Sequence, residues 1–265
     1  MTRFDLSDDL KLANALADAA RAAIRPYFRA EPDIVNKLET GFDPVTAADK
    51  ASERAMRQLL AEHRPEDGIL GEEFGEHTGR SGRRWVLDPI DGTRAFISGL
   101  PSWTVLIALE MDGRPGLGLI DQPHIRERFV GQASGTELHG PDGVRRLSVR
   151  PDVTLDTAIL SSTDPYLFEG AEARAFVAVR ERARLCRFGF DAYAYAMLAT
   201  GGVDLVIESG LQIYDVQALI PVVEGAGGVV TNWSGGDASQ GGQVVAAANR
   251  DLLDAALTHL AAAAV

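Results

Sequence analysis

One junction constrains this chain more than any other: an apolar run, Trp85-Val86-Leu87, passes straight into Asp88-Pro89-Ile90-Asp91-Gly92-Thr93. A buried strand delivers Asp88, Pro89 turns the chain, and Asp91 comes back toward the same point. Gly92 lets the backbone approach a ligand closely, while Thr93 offers a hydroxyl and an amide at a helix start. The fold must therefore end a buried strand on a cleft lined with carboxylates. Taken alone the string reads as a turn, because Asp-Pro and Asp-Gly are turn dipeptides. Acids recur, however, at three other points where a strand ends or a helix begins: Asp49, the Glu72-Glu73 pair and Asp215. Each has an ordinary reading. Thr46-x-x-Asp49 matches a capping box, Glu72-Glu73 a solvated pair, and Asp215 a helix N-terminal acid. Their occurrence together, in this order and on these elements, is what argues for a site.

The surrounding pattern places these acids. Ser7 with Asp8 and Asp9 starts a helix, and Leu10, Ala13, Leu16, Ala17, Ala20, Ile24, Tyr27 and Phe28 extend it past Pro26. Gly41-Phe42-Asp43-Pro44 is a turn before a second helix, which begins near Thr46 and ends before Pro65. Gly68–Gly71 is a short strand running into Glu72-Glu73. Trp103–Glu110 and Gly116–Ile120 flank Asp112-Gly113 as a hairpin, with Phe129-Val130 and Leu147–Val149 continuing the sheet. After Pro151 the texture alternates. Strands are expected at Ala158–Ser161, Val203–Ile207, Val229–Thr231 and Gln243–Ala246, and helices at Ala171–Ala183, Ala192–Thr200, Tyr214–Glu224 and Arg250–Ala264. Two halves, residues 1–150 and 151–265, are expected to share a cleft, with the seam near 145–155.

Composition narrows the chemistry. The chain has 265 residues, with 26 Lys+Arg against 38 Asp+Glu, so a net charge of −12 argues against nucleic acid as partner. Cys186 is the only cysteine, which rules out an intrachain disulfide and a Cys-rich zinc site. No apolar run has the length of a signal peptide or a bilayer span, so a cytoplasmic protein with no membrane partner is expected. Two carboxylates 4 Å apart repel by ~4 kcal/mol at an effective dielectric of ~20, so acids sharing one cleft need cations or protons there. Hard oxygen donors without cysteine or paired histidine suit Mg²⁺, and such a site beside a helix start suits a phosphate group. A covalent aspartyl mechanism of the haloacid-dehalogenase type does not fit, since Asp88 and Asp91 are three apart rather than two.

On the residues Asp49, Glu72-Glu73, Asp88–Thr93 and Tyr214-Asp215-Val216-Gln217-Ala218, the chain resembles the inositol monophosphatase superfamily of Mg²⁺-dependent phosphatases. It departs from the family pattern in carrying Tyr214 where relatives carry Trp. Arg84–Asp88, Asp91–Pro101, Ile120–Pro123 and Ala218–Gly228 bring it nearest to the bacterial histidinol-phosphatases of that fold. Phe188–Tyr195 is similar to a segment of the same subfamily, with departures at Phe190 and Ala192.

The resemblance implies an α+β fold, a layered α-β-α-β-α sandwich, and commonly a homodimer. It implies two to three Mg²⁺ ions held by Glu72, Asp88, the Ile90 carbonyl, Asp91 and Asp215, with Glu73 as an outer ligand. The catalytic residues it implies are Asp49, Thr93 and Glu72, with Asp49 and Thr93 activating a water for in-line attack and no phosphoenzyme. Gly92 and Thr93 amides would hold the phosphate, and Lys37 is a candidate helper or a solvated loop lysine. Asp191 and Glu208 map beside the leaving group, where two acids suit a cationic alcohol such as histidinol, although Asp191 could equally be a helix N-cap. The expected substrate is a small phosphorylated alcohol, L-histidinol phosphate, in histidine biosynthesis. Inositol-1-phosphate, a sugar phosphate or a nucleotide phosphate, and a non-catalytic carboxylate-rich binding protein, stay open.

Overall fold

The computed structural model describes residues 7–29, 34–36 and 44–265, with the side chains of 7, 34–36 and 44–46 excluded. Lys37, the 41–43 turn and the Thr46 hydroxyl of the expected capping box lie outside the described residues. The first half runs α1 (Ser7–Ile24), β1 (Ile34–Asn36), β2 (Pro44–Thr46), α2 (Ala47–His63), β3 (Gly68–Gly71), β4 (Gly75–His77), β5 (Arg83–Asp91), α3 (Thr93–Ile97), β6 (Thr104–Met111), β7 (Arg114–Gln122), β8 (Glu127–Gln132), β9 (Gly135–Gly140) and β10 (Gly143–Arg146). The second half follows as β11 (Ile159–Ser162), α4 (Gly170–Arg180), β12 (Leu185–Phe188), α5 (Tyr193–Ala199), β13 (Leu205–Leu211), α6 (Ile213–Val216), α7 (Leu219–Gly225), β14 (Val229–Asn232), β15 (Gly242–Ala247) and α8 (Arg250–Leu260).

An eight-stranded sheet has the order β10-β9-β8-β7-β6-β5-β3-β4, and a five-stranded one the order β12-β11-β13-β15-β14. Strand alternation sorts the larger sheet's side chains between two cores. Val105, Ile107 and Leu109 of β6 join Trp85, Leu87, Leu16, Met56 and Leu60 on the face covered by α1 and α2. Leu106 and Ala108 join Val86, Ile120 and Phe129 on the other face, against α5 and α7. Those two helices also meet the smaller sheet at β13 and β14, whose far side carries α4 and α8. The result is the expected α-β-α-β-α sandwich. No described helix is long and apolar enough to cross a membrane.

Glycine sets how closely α7 approaches the larger sheet. A Cβ at Gly118 would lie 2.1 Å from the Ala218 carbonyl oxygen, and one at Gly131 would lie 2.3 Å from that of Pro221. Only bare backbone fits beneath the turn that carries Asp215 into α7.

Several element limits differ from the sequence reading. β5 does not turn at Pro89; it continues to Asp91, pairing with β6 through a register shift between Asp88 and Asp91. Proline is tolerated there because the irregularity relieves its missing N–H. β13 likewise runs on through Ser209-Gly210 to Leu211 with a register shift. The single helix expected over 214–224 is two, α6 and α7, and Leu147–Val149 is not strand, since β10 ends at Arg146.

Candidate active site

The end of β5 meets the second half of the molecule at a cleft of about 250 Å³. Glu72, Asp88, Ile90, Asp91, Gly92 and Thr93 line one side, and Thr163, Leu167, Asp191, Glu208–Leu211 and Asp215 the other. Carboxylate oxygens of Asp88, Asp91 and Asp215 all come within 4.8 Å of one another. Asp88 is 2% exposed, and its Oδ1 has no hydrogen-bond partner among the described residues. Burial, then the neighbouring charges of Glu72, Asp91, Asp215 and Asp49, push its carboxyl well above the usual range. Asp91 is raised for the same reasons, with Asp191 and Asp215 as the chief neighbours. Such a cluster is stable only with compensating positive charge. The donors are all oxygen, and one is buried and unsatisfied, which fits a hard divalent cation.

Backbone amides orient the acids. Ala192 N donates to Asp91 Oδ2 at 2.7 Å and Gln212 N to Asp215 Oδ2 at 2.7 Å, which holds both carboxylates at the cleft. Thr93 Oγ1 donates to the Ile90 carbonyl at 3.2 Å, which fixes the hydroxyl at the start of α3. Gly92 sits at φ 78° with no side chain, and a Cβ there would come 3.0 Å from Asp191 Oδ2. Asp49, in the first turn of α2, is buried at 2% and acts electrostatically on Asp88. Glu73 does not line the cleft; its amide donates to Glu53 instead.

The Asp191 helix-cap reading does not hold. Asp191 takes the left-handed conformation, φ 47°, and the first turn of α5 has no side-chain cap. Its carboxyl lies beside Gly92, raised to about 6 by burial, with Arg94 and Thr163 opposing. Glu208 is buried, and its Oε1 accepts from Thr163 N at 2.8 Å and Thr163 Oγ1 at 3.1 Å. Burial pushes it up to about 8, against the Thr163 hydrogen bonds.

Three residues escaped the sequence reading. Thr163 directly follows β11, a strand parallel to β12 and β13, and the polar run Ser161-Ser162-Thr163-Asp164 was the signal. Tyr195, four residues after Asp191, has a buried hydroxyl without a partner among the described residues. Glu53, four residues after Asp49 on the same face of α2, accepts from Glu73 N at 2.7 Å and Phe74 N at 3.3 Å. Arg57 Nε donates to it at 2.7 Å, and a Cβ at Gly71 would meet its Oε1 at 2.0 Å.

A five-layer sandwich whose larger sheet ends in an all-carboxylate cluster, facing the smaller sheet across a cleft, suits a phosphoric monoester hydrolase, and the family match assigns the chain to that class. The inositol monophosphatase family profile matches residues 5–264, and the chain belongs to that family. It is 39% identical to the histidinol-phosphatase of Mycobacterium tuberculosis, over 96% of this chain and 98% of that one. It is 47% identical to the chloroplastic bifunctional phosphatase IMPL2 of Arabidopsis thaliana over 84% of this chain, a match spanning 64% of the plant protein. A solved inositol monophosphatase from Zymomonas mobilis superposes with a TM-score of 0.86 at 43% identity, covering 98% of this chain and all of that one.

Proposed function

We propose that the protein hydrolyses L-histidinol phosphate to L-histidinol and phosphate with two to three Mg²⁺ ions. The observation that carries the metal reading is the convergence of Asp88, Asp91 and Asp215, with a buried Asp88 oxygen left unsatisfied. Those three, with Glu72 and the Ile90 carbonyl, would hold the ions, and Glu73 would support them from outside the cleft. Bound there, Mg²⁺ would supply Lewis acidity toward the phosphate oxygens and would lower the pKa of a water so that it is deprotonated more easily. Asp49 and the Thr93 hydroxyl would orient that water in line with the ester, and the Asp49 carboxylate would take its proton. The amides of Gly92 and Thr93 hold the phosphate. The P–O ester bond breaks, and the released alcohol leaves with a proton.

The substrate reading rests on Asp191 and Glu208. A buried acid, Glu208, and a half-buried one, Asp191, face the same cleft, and both are raised by desolvation, which favours a leaving alcohol that carries positive charge. Relatives named histidinol-phosphatase in Mycobacterium tuberculosis, Chlorobaculum parvum and Streptomyces coelicolor, at 39%, 33% and 37% identity, support it. The second reading, inositol-1-phosphate, is favoured by the Zymomonas structure and by a 32% identical inositol-1-monophosphatase of Mesorhizobium japonicum. A homodimer working in the cytoplasm on a soluble substrate, with function divided between residues 1–150 and 151–265, belongs to the same proposal.

Phosphate release, with and without Mg²⁺, from histidinol phosphate, inositol-1-phosphate, fructose-1,6-bisphosphate and a 3′-phosphonucleotide tests both parts. Mg²⁺-dependent preference for histidinol phosphate is the expected result. Preference for inositol-1-phosphate would overturn the substrate and keep the chemistry, whereas Mg²⁺ binding without turnover of any of them would overturn the chemistry.

A further inference from the structure

A second cavity, of about 500 Å³, is lined by Arg21, Arg25, Phe28, Arg29, Trp103, Pro123, His124 and Arg126, and shares no lining residue with the carboxylate cleft. Its four arginines run against the chain's overall net charge of −12. Arg21 is committed to buried Asp121, its Nη2 2.7 Å from Oδ1. Arg29 gives its Nε to the Gly99 carbonyl at 3.2 Å and stacks over Phe28, 5.2 Å from the ring centre. Among the described residues, the guanidinium groups of Arg25 and Arg126 have no ion-pair partner.

The cavity wall is aromatic. Phe28 lies 4.9 Å from His124 and 5.2 Å from Trp103, centre to centre, and the indole Nε1 of Trp103 is buried without a hydrogen-bond partner among the described residues. Two of the arginines, Arg29 and Arg126, hold left-handed backbone, at φ 61° and 63°. That conformation is costly for a non-glycine residue and persists where surrounding structure enforces it. Both residues line the same cavity as Phe28 and His124. Guanidinium pairs recognise phosphate by parallel N–H donation, and flat rings stack on aromatic faces.

We propose that this cavity binds a small organic phosphate carrying a flat ring, of the aryl or nucleoside phosphate class. The phosphate lies between Arg25 and Arg126, and the ring lies against Phe28 and His124. Neither the oxyanion nor the ring is sufficient alone.

The test uses the full chain, with Mg²⁺ and after chelation, and titrates phenylphosphonate and AMP by calorimetry. Inorganic phosphate and phenol are titrated beside them. Phenylphosphonate or AMP is expected to bind with a Kd below ~1 mM whether or not Mg²⁺ is present, within the affinity reach of a ligand this small. Phosphate and phenol are each expected to bind at least roughly ten-fold more weakly. The double variant Arg25→Gln/Arg126→Gln is expected to weaken the ring-bearing ligands by roughly ten-fold or more, the scale of one charge-assisted hydrogen bond. It leaves Mg²⁺-dependent phosphate release unchanged, since neither residue touches the cleft. Three results overturn the proposal: no Mg²⁺-independent binding of either ring-bearing probe in the wild type, equal affinity in the double variant, or inorganic phosphate binding as tightly as AMP. Failure of the phosphatase reading would show separately, as loss of turnover with this binding intact.

Discussion

Glu53→Gln puts the support behind Glu72 to the test. Glu53 is fully buried and holds the turn after β3 with two carboxylate oxygens, one on Glu73 N at 2.7 Å and one shared by Phe74 N at 3.3 Å and Arg57 Nε at 2.7 Å. Glutamine keeps the shape. It replaces one of these acceptors with an NH₂ donor, so at least one N–H faces a donor and Arg57 loses its counter-charge. Breaking a buried charge pair from one side costs about 3–5 kcal/mol. In a chain of this size that lowers Tm by roughly 6–20 °C, at ~2–4 °C per kcal/mol. Glu72 shares the turn, and even ~1.4 kcal/mol of its displacement weakens ion binding tenfold. The assays are thermal unfolding by circular dichroism and the Mg²⁺ concentration for half-maximal phosphate release. A variant melting within 2 °C of wild type with an unchanged Mg²⁺ requirement would refute the reasoning.

Four further outcomes follow from the same contacts. Asp88→Asn abolishes turnover while the protein stays folded, because a neutral amide cannot balance clustered cations; near-normal turnover sinks the metal assignment. Asp191→Ala raises KM for histidinol phosphate several-fold with Tm little changed, since Asp191 caps no helix; an unaltered KM removes the cationic-pocket argument. Glu208 has its folded pKa raised from 4.5 to about 8, so chelated protein is most stable below the lower value and loses that stability as pH rises through the higher one. Urea titrations should show Glu208→Gln matching wild type at pH 4.5 and exceeding it at pH 8.5; a difference that stays flat with pH would falsify this. Gly131→Val should fail to accumulate as folded protein in expression and circular dichroism, because its side chain would meet the Pro221–Val222 backbone at 2.3 Å.

Much of the site was legible along the chain because its chemistry is local. Asp88–Thr93 follows an apolar run, and the order Asp49, Glu72-Glu73, Asp88, Asp91, Asp215 carries the metal reading without coordinates. The layered architecture followed from the resemblance those residues carry, and strand alternation in β6 matches it side chain by side chain. What the chain could not show depends on partners far away in sequence. Asp91 is oriented by an amide 101 residues distant, and Glu208 by Thr163, 45 residues back. Pro89 reads as a turn until β6 is seen to pair across it with a register shift. Asp191 reads as a cap until its left-handed backbone sets the carboxyl against Gly92. Glu53 and Asp49, both acids on the buried face of α2, gave a helical-spacing signal whose meaning needed the β3 turn lying above them. The basic aromatic cavity left no motif at all, because its arginines come from the end of α1 and the β7–β8 turn, about a hundred residues apart, and only packing brings them together.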